Sequence, residues 1–262
     1  IWTDVDGVLS ADPRLVPEAQ VIDEISYNEA MELAYFGAKV IHPQTMAPAV
    51  AKRIPIWIRN TFAPEKAGTL IHDRTAPSPL VKGITTVEKI ALLNLEGAGM
   101  IGVPGTAHRL FGALREEGIS VILISQGSSE HSICFAVPEL EAERAERVVR
   151  RAFEPELREG QIQSIEVNHG CSILAVVGDG MAGAHGVAAK VFTALGLAGV
   201  NVRAIAQGAS ERNISVVIDG RGSARALRAV HSAFYLSAHT VSIGLIGPGL
   251  VGSALLEQVA SQ

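Results

Sequence analysis

The spacing of apolar residues in the central part of the chain switches between that of a strand and that of a helix. Two apolar runs, "IALLNLEG" (90–97) and "SILAVVGDG" (172–180), predict strands that each end in a glycine-rich turn. Apolar residues then recur at i, i+3, i+4 and i+7, which predicts one buried face of a helix after each turn. They are Ala107, Leu110, Phe111 and Leu114 in the first stretch, and Ala188, Val191, Phe192 and Leu195 in the second.

Further strands follow each predicted helix. Gly118 and Gly199 predict the helix ends, because glycine readily takes the left-handed conformation found there. A second strand ("ISVILIS", "VNVRAIA") leads to a polar turn, and a third strand alternates apolar residues as expected of a half-buried antiparallel strand. The third-strand positions are Ile133, Phe135 and Val137, and then Ile214, Val216 and Ile218. With a further helix and a closing strand, the pattern predicts an α/β fold of the α+β type, containing two ferredoxin-like βαββαβ units.

The two units form an internal repeat. When Gly97 is aligned with Gly178, positions 97–137 match 178–218 without a gap, and 17 of these 41 positions are identical. The polar turn is part of the repeat, since "ISQGSSEHSIC" (124–134) returns as "IAQGASERNIS" (205–215). A repeat of this length predicts two copies of one structural unit.

Composition limits the classes of function. The chain has 262 residues, of which 48% are apolar and 19% charged, so we expect a buried core. A net charge of −5 and 5% aromatic residues argue against a nucleic-acid surface. No apolar run reaches the length of a membrane span, and the histidines are scattered, so we predict neither membrane insertion nor a metal site. Cys134 and Cys171 are predicted to be reduced core residues of a cytoplasmic protein, with a disulfide as the alternative.

The repeated turn carries the candidate chemistry. The glycine-rich turn before each first helix leaves backbone N–H groups free at a helix start, which suits a carboxylate. Gln126 and Gln207 lie at strand ends nearby, and a carboxamide can both donate and accept hydrogen bonds. A small zwitterion such as a free amino acid would fit this combination. From the residues alone, a plain hairpin turn without a ligand is the alternative.

Three groups of motifs resemble one enzyme family. "WTDVDGVLSADPR" (2–14), "SYNEAMELAYFGAKVIHPQT" (26–45) and "IPIWIRNTFAPEKAGTLI" (54–71) resemble the C-terminal part of an aspartokinase catalytic domain. "LEGAGM" (95–100) and "GVNVRAIAQGASERNISVVI" (199–218) resemble the paired ACT regulatory domains of the same family. "VSIGLIGPGLVGSALLEQV" (241–259) resembles the start of a homoserine dehydrogenase. This order of segments is that of the bifunctional aspartokinase–homoserine dehydrogenases.

The resemblance implies a division into domains. Residues 1–75 would be the C-terminal part of an amino-acid-kinase domain, 81–168 the first ACT domain and 169–238 the second, with the strand at 81–86 completing the second. Residues 241–262 would begin the NAD(P)-binding domain. Alternatively 241–246, which aligns with 160–165, would be the last strand of the second ACT unit. Because the chain opens at Ile1 inside a predicted strand, we expect a piece of a longer protein whose outermost elements are incomplete.

The resemblance also implies nucleotide contacts at both ends. Thr3 and Asp4 would hold the base and ribose side of ATP, which would bind with Mg, while Arg14 would reach a phosphate and Lys39 would lie near the nucleotide. The rest of that site would lie upstream, so we expect no kinase activity from this piece. The glycines of a GxGxxG turn, Gly247, Gly249 and Gly252, would contact NAD(P)H. The rest of that βαβ unit would lie downstream, so we expect no tightly bound dinucleotide.

The resemblance also implies that an amino acid binds as an allosteric effector. In this family the paired domains would sense L-threonine through Gln126 and Gln207, with Asn201 as an additional contact. Lysine is the nearest rival, although Ile122 and Arg203 offer no acidic group to its ε-ammonium. The parent enzyme would phosphorylate L-aspartate and reduce aspartate semialdehyde to homoserine. We expect a homodimer, or a higher oligomer, through the ACT sheets, and a pure dimerisation scaffold is the alternative function.

Overall fold

The computed structural model describes residues 1–36, 43–74, 79–235 and 249–260. Its first part, residues 1–72, is here named the kinase-like segment. The elements of this segment are β1 (Trp2–Thr3), β2 (Glu24–Ser26), α1 (Tyr27–Tyr35), α2 (Pro43–Lys52), β3 (Ile56–Asn60) and β4 (Thr69–His72). They form a four-stranded sheet in the order β1-β3-β4-β2, in which β1 is parallel to β3, β4 is parallel to β2, and β3 and β4 are antiparallel.

The two repeats occupy residues 83–235. The elements of the first are β5 (Gly83–Glu96), α3 (Thr106–Glu116), β6 (Leu123–Gln126), β7 (Ser132–Pro138), α4 (Ala142–Ala152) and α5 (Glu154–Arg158). Those of the second are β8 (Ser164–Val177), α6 (Val187–Leu197), β9 (Val202–Gln207), β10 (Asn213–Asp219) and α7 (Ser223–Tyr235). A further helix, α8 (Leu250–Ala260), begins inside the GxGxxG turn, directly after Gly249. The predicted α/β fold with two ferredoxin-like units is confirmed.

The structural repeat is longer than the sequence repeat. In the alignment that places Gly97 on Gly178, β8, α6 and β10 begin and end at the same positions as β5, α3 and β7, respectively. The matched region therefore starts at residues 83 and 164, well before the stretch that sequence identity reveals. Gly118 and Gly199 have φ of 68° and 64° just beyond α3 and α6, which confirms the predicted helix ends.

One six-stranded antiparallel sheet joins the repeats, in the order β6-β7-β5-β8-β10-β9. The second half of β5 pairs with the first half of β8, so that Leu92 lies opposite Asn168 and Glu96 opposite Ser164. The first half of β5 pairs with the second half of β8, so that residues 83–87 lie beside residues 173–177. Each repeat thus receives its fourth strand from the long strand that opens the other.

Both faces of this sheet are covered. The helices of each repeat pack on one face, where Phe135 and Leu110 lie in the first core and Val216 and Val191 in the second. The other face is also apolar, because its cluster contains Phe36 of the kinase-like segment and residues of both repeats: Ile90, Leu92, Leu123, Ala136, Cys171, Ile173, Ala175, Ala204 and Val217. β7 and β10 are consequently buried on both faces, which corrects the prediction of half-buried strands. Their second face packs against the other repeat, a contact that alternation within one strand does not reveal.

The kinase-like segment packs on the second repeat. Ala11 and Val16 belong to the same apolar core as the helices α6 and α7. Two hydrogen bonds accompany this packing: the Ser10 hydroxyl bonds the imidazole Nε2 of His231 (2.9 Å), and Arg228 Nε donates to the carbonyl of Leu15 (2.6 Å). These contacts attach the kinase-like segment to the second repeat.

A candidate membrane span and a candidate metal site are both absent from the residues that the structure describes. Within 1–36, 43–74, 79–235 and 249–260, none of the helices is both long enough and apolar enough to cross a membrane. Among the same residues, His, Cys, Asp and Glu side chains form no group of three or more that could hold a metal ion. Cys134 and Cys171 are both free thiols, and burial raises the pKa of each.

Candidate functional site

The glycine-rich loops before α3 and α6 have the same backbone conformation. Gly102 and Gly105 have φ of 68° and 91°, and their counterparts Gly183 and Gly186 have φ of 71° and 81°. Such values belong to the left-handed region, which glycine enters without steric cost. Gly105 and Gly186 directly precede the helices, so each loop brings the free N–H groups of a helix start to the surface.

A glutamate from the repeated polar turn holds each loop. Glu130 and Glu211 have φ of 56° and 55°, a conformation that is uncommon outside glycine. The Glu130 carboxylate accepts the backbone N–H of Gly102 (2.9 Å), and the Glu211 carboxylate accepts that of Gly183 (2.6 Å). Hydrogen bonds of this kind to a charged acceptor are stronger than neutral ones. The turn and the loop are thereby fixed to each other in both repeats.

Each loop and turn enclose a cavity. Cavity 1 has a volume of about 400 Å³ and is lined by Met100, Gly102, Val103, Pro104, Gly105, Thr106, Ala107, Gln126, Glu130 and Ile133. Cavity 2 has a volume of about 330 Å³ and is lined by Met181, Ala184, His185, Gly186, Val187, Ala188, Ala189, Gln207, Glu211 and Ile214. Nine of the ten lining positions correspond when the two repeats are aligned. The repeat has therefore duplicated a cavity as well as a fold.

The structure brings the predicted glutamines into these cavities. Gln126 is the last residue of β6 and Gln207 the last residue of β9, and each side chain is exposed at its cavity. Asn201 is exposed just before the opposite end of β9 and does not line cavity 2. Asn201 lies six positions before Gln207, which corresponds to about 20 Å along a strand.

Glu130 and Glu211 are site residues that the sequence did not predict. The sequence pattern places both in a polar turn, whereas in the structure each carboxylate lines a cavity and orders the facing loop. A signal was present in the sequence, because this glutamate recurs at the aligned position of the second repeat, together with the Gln, Gly and Ser of the same turn. Its left-handed φ and its partner across the cavity are visible only in the folded chain.

The lining residues suit a small zwitterion. A carboxamide, a carboxylate and the N–H groups at a helix start face an apolar floor, which Met100 and Ile133 form in cavity 1. The carboxylate can bind an ammonium group, and the helix start can bind a carboxylate. Among the described residues that line each cavity, this glutamate is the one acidic side chain. The cavities therefore offer a place for one positive and one negative group.

The predicted ATP residues lie at one end of the kinase-like segment. Thr3 ends β1, and its hydroxyl donates to the exposed Asp4 carboxylate (3.1 Å). The guanidinium of Arg14 donates through Nε (3.0 Å) and Nη2 (2.6 Å) to the Asp12 carboxylate. A phosphate group would have to compete with Asp12 for this pair of donors. Lys39 lies outside the described residues.

The predicted dinucleotide turn is described only in part. Gly249 is exposed directly before α8, and its carbonyl accepts the backbone N–H of Ser253 (2.9 Å). Gly252 lies within α8. Gly247 and the predicted strand at 241–246 lie outside the described residues.

Comparison with known families matches the two parts of the chain separately. Residues 93–153 and 174–234 match the ACT domain family, and residues 1–60 match the amino acid kinase family. The two ACT matches correspond to the two ferredoxin-like units with their cavities. Fold and site thus define a tandem pair of ACT domains joined to part of an amino acid kinase domain.

Individual relatives extend this class over the whole chain. The bifunctional aspartokinase/homoserine dehydrogenase 2 of Arabidopsis thaliana, described as chloroplastic, is 51% identical over 100% of this chain and 29% of its own length. The bifunctional enzyme of Haemophilus influenzae is 49% identical over 100% of this chain and 32% of its own length. The chain belongs to the aspartokinase family, and over its full length it resembles the bifunctional aspartokinase/homoserine dehydrogenases. It spans less than a third of the length of these two relatives.

Solved structures agree with this assignment. Clostridium acetobutylicum aspartate kinase superimposes with a TM-score of 0.81 at 31% identity, covering 89% of this chain and 53% of that one. Escherichia coli aspartokinase III in complex with lysine and aspartate gives a TM-score of 0.70 at 32% identity, covering 90% and 51%. The regulatory subunit of aspartate kinase from Thermus flavus superimposes with a TM-score of 0.51 at 34% identity, covering 59% of this chain and 99% of the subunit. The chain thus contains the regulatory region of an aspartokinase.

Proposed function

We propose that this chain is the regulatory region of a bifunctional aspartokinase/homoserine dehydrogenase, and that both cavities bind L-threonine as a feedback inhibitor. The whole protein would phosphorylate L-aspartate with ATP and Mg, and would reduce aspartate semialdehyde to homoserine with NAD(P)H. The domain limits that we propose are 1–75 for the kinase part, 81–168 and 169–238 for the two ACT domains, and 241–262 for the start of the dehydrogenase.

One observation carries the effector proposal. The same cavity, with a glutamine and a glutamate at corresponding positions, occurs in both repeats. Gln126 and Gln207 are polar, exposed and held at strand ends, where a role in packing would not require an amide. The ligand's ammonium group would bind Glu130 or Glu211, its carboxylate the helix start, and the glutamine would take the remaining polar group.

The number of carboxylates that line each cavity favours threonine over lysine as the ligand. The Escherichia coli structure contains lysine, so lysine is the rival that the comparisons raise. Lysine carries two ammonium groups, whereas the described lining of each cavity offers one carboxylate. Ile122 and Arg203 line neither cavity, and Arg203 instead donates to the side-chain oxygen of Asn168 (2.6 Å). A zwitterion with an uncharged side chain matches this arrangement.

Calorimetric titration of the chain with L-threonine and with L-lysine tests the proposal. We expect threonine to bind, and we expect Gln126→Ala and Gln207→Ala each to remove or weaken one of two binding events. Asn201→Ala is the matched comparison at the other end of the strand that carries Gln207, and we expect it to bind like the original chain. Lost binding in Asn201→Ala would show that the site extends beyond the cavity, and binding of lysine without threonine would refute the effector assignment.

A dimerisation scaffold is the second candidate function. Ile124 and Ile205 are 48% and 46% exposed at corresponding positions of the edge strands β6 and β9. Exposed apolar residues on an edge strand favour association with a second copy. Sedimentation with and without threonine distinguishes the two functions, because a pure scaffold would associate equally in both conditions.

The nucleotide sites are proposed for the whole protein. We propose that Thr3, Asp4, Arg14 and Lys39 contact ATP, and that Gly247, Gly249 and Gly252 contact NAD(P)H, once the remaining parts of each site are present. The chain by itself should show neither kinase activity nor tight dinucleotide binding. A fluorescence titration with NADPH tests the second statement, and saturable tight binding would refute it.

A further inference from the structure

The two cavities differ at one position that changes their charge. Pro104 lines cavity 1, and the corresponding position in cavity 2 is His185. The other mismatched pairs of lining residues are Val103 with Ala184 and Thr106 with Val187, none of which is ionisable. His185 is therefore the feature by which the described part of cavity 2 can respond to pH in the range where histidine changes its charge.

The backbone around this position is the same in both repeats. Gly105, which follows Pro104, has φ 91° and ψ 0°, and Gly186, which follows His185, has φ 81° and ψ 0°. Both residues directly precede a helix of eleven residues. A proline is thus accommodated in this loop conformation, and the difference between the cavities at this position lies in the side chain.

The charged groups around His185 have identifiable partners. Glu211, from the turn between β9 and β10, faces the same cavity and accepts the N–H of Gly183. On α6, the ammonium of Lys190 lies 4.9 Å from the centre of the Phe234 ring. Arg212 Nε lies 3.0 Å from the Asp179 carboxylate. His185 and Glu211 are the two ionisable side chains among the described residues that line cavity 2.

We propose that His185 is a specificity-determining residue of cavity 2, where its protonated imidazole binds the carboxylate of the amino-acid ligand. This inference rests on the proposed function, because it assumes a zwitterionic ligand in the cavity. Glu211 would hold the ammonium group and His185 the carboxylate, so the ligand would lie between two opposite charges. Pro104 offers no such group, so cavity 1 would bind the same ligand with an affinity that does not change over this pH range.

The expected effect follows from the loss of one positive charge. His185 is exposed, and water weakens the interaction of an exposed charged group with a ligand. Cavity 2 should therefore bind L-threonine about three- to tenfold more weakly at pH 8 than at pH 6. Cavity 1 should bind it equally at both pH values.

Exchange of the two residues tests the inference with matched variants. In a Gln126→Ala background, in which cavity 2 remains, L-threonine would be titrated calorimetrically at pH 6 and pH 8, with and without His185→Pro. In a Gln207→Ala background, in which cavity 1 remains, the same titrations would be made with and without Pro104→His. We expect the pH dependence to disappear with His185→Pro and to appear with Pro104→His. His108→Gln, an exposed histidine of α3 that lines neither cavity, is the control and should change nothing.

The outcomes separate this inference from the proposed function. Threonine binding in cavity 2 that is equal at both pH values, or tighter at pH 8, would overturn the role of His185 and leave the effector proposal intact. A dependence that survives His185→Pro would assign the titrating group elsewhere and would also overturn it. If no variant binds threonine at either pH, the proposed function fails and this inference fails with it. Circular dichroism of each variant checks that the exchanged chains are folded.

Discussion

The carboxylate of Glu29 accepts the backbone N–H of Asp179 at 2.7 Å and so joins helix α1 to the turn that leads into cavity 2. The corresponding amide in the first repeat, that of Ala98, donates instead to the side-chain oxygen of Gln163 (2.9 Å). In the first repeat, the partner of this turn is Gln163, which belongs to the repeat region itself. In the second repeat, the partner is Glu29 of the kinase-like segment. The turn of the second repeat is positioned by the kinase-like segment, and the turn of the first is not.

Replacement of Glu29 should weaken this junction. The same carboxylate accepts the backbone N–H of Ser26 (2.8 Å), so Glu29→Ala leaves two backbone donors without their acceptor. Each unsatisfied buried donor costs about 1–3 kcal/mol, so the free energy of unfolding in urea should fall by about 2–5 kcal/mol. Glu116→Ala, an exposed carboxylate on α3, is the control and should change it by less than about 0.5 kcal/mol. Equal losses in the two variants would contradict this account.

His231 should make stability depend on pH. Burial lowers the pKa of this imidazole below its usual 6.5, so the folded chain keeps it neutral where the unfolded chain would protonate it. The unfolded state then binds more protons, and stability is lost as pH falls from about 6.5 towards the lowered value. Thermal unfolding at pH 8 and pH 5.5 measures this loss, which should be smaller in His231→Gln because glutamine remains neutral. Identical losses in His231→Gln and the original chain would assign the pH effect to other groups.

Gly178 has no room for a side chain. A Cβ placed there would lie 2.2 Å from the carbonyl oxygen of Leu80 and 3.0 Å from the Cα of Val81, and both of these are backbone atoms. Gly178→Ala should therefore lower the free energy of unfolding by about 3 kcal/mol or more. Gly112→Ala is the opposite case, because it lies within α3 with nothing inside 4 Å. The free energy of unfolding of that variant should rise by about 0.5–1 kcal/mol. A fall would contradict the finding that a Cβ at this position meets no other atom.

Glu130 and Glu211 should each strengthen ligand binding at their own cavity. Glu130→Gln and Glu211→Gln keep the size of each side chain but remove the charge that would bind an ammonium group. We expect each to weaken threonine binding at its own cavity about tenfold or more, measured by calorimetry. Ser129→Ala, in the same turn but outside the lining of cavity 1, is the comparison. Unchanged affinity in both glutamine variants would remove the glutamates from the binding site.

Local features of the fold were predictable from the sequence. The apolar spacing of α3 and α6 and the internal repeat are local or self-comparing signals, and the structure reproduces both. The glycine stops at Gly118 and Gly199 follow from backbone conformation alone. The assignment to the family came from motifs that span the whole chain, and the comparisons confirm it.

Long-range relationships were not predictable in the same way. The bond between Glu29 and Asp179 joins residues 150 positions apart, and neither has a distinguishing local pattern. The double burial of β7 depends on which surface the other repeat presents, and alternation within β7 carries no information about that surface. Glu130 was recognisable as a repeated residue, but its role needed the position of Gly102 across the cavity. In each case the missing information was the identity of a partner distant in sequence.

The mutual pairing of β5 and β8 determines whether one repeat can be separated from the other. A cut between α5 and β8 would leave the first repeat without residues 164–168 and the second without residues 83–87. Each product would expose a new sheet edge with unpaired backbone groups, which invites aggregation. Deletion, transplantation or separate expression should therefore treat residues 80–235 as one indivisible block, and a hybrid enzyme that keeps a single repeat would inherit an unfinished sheet.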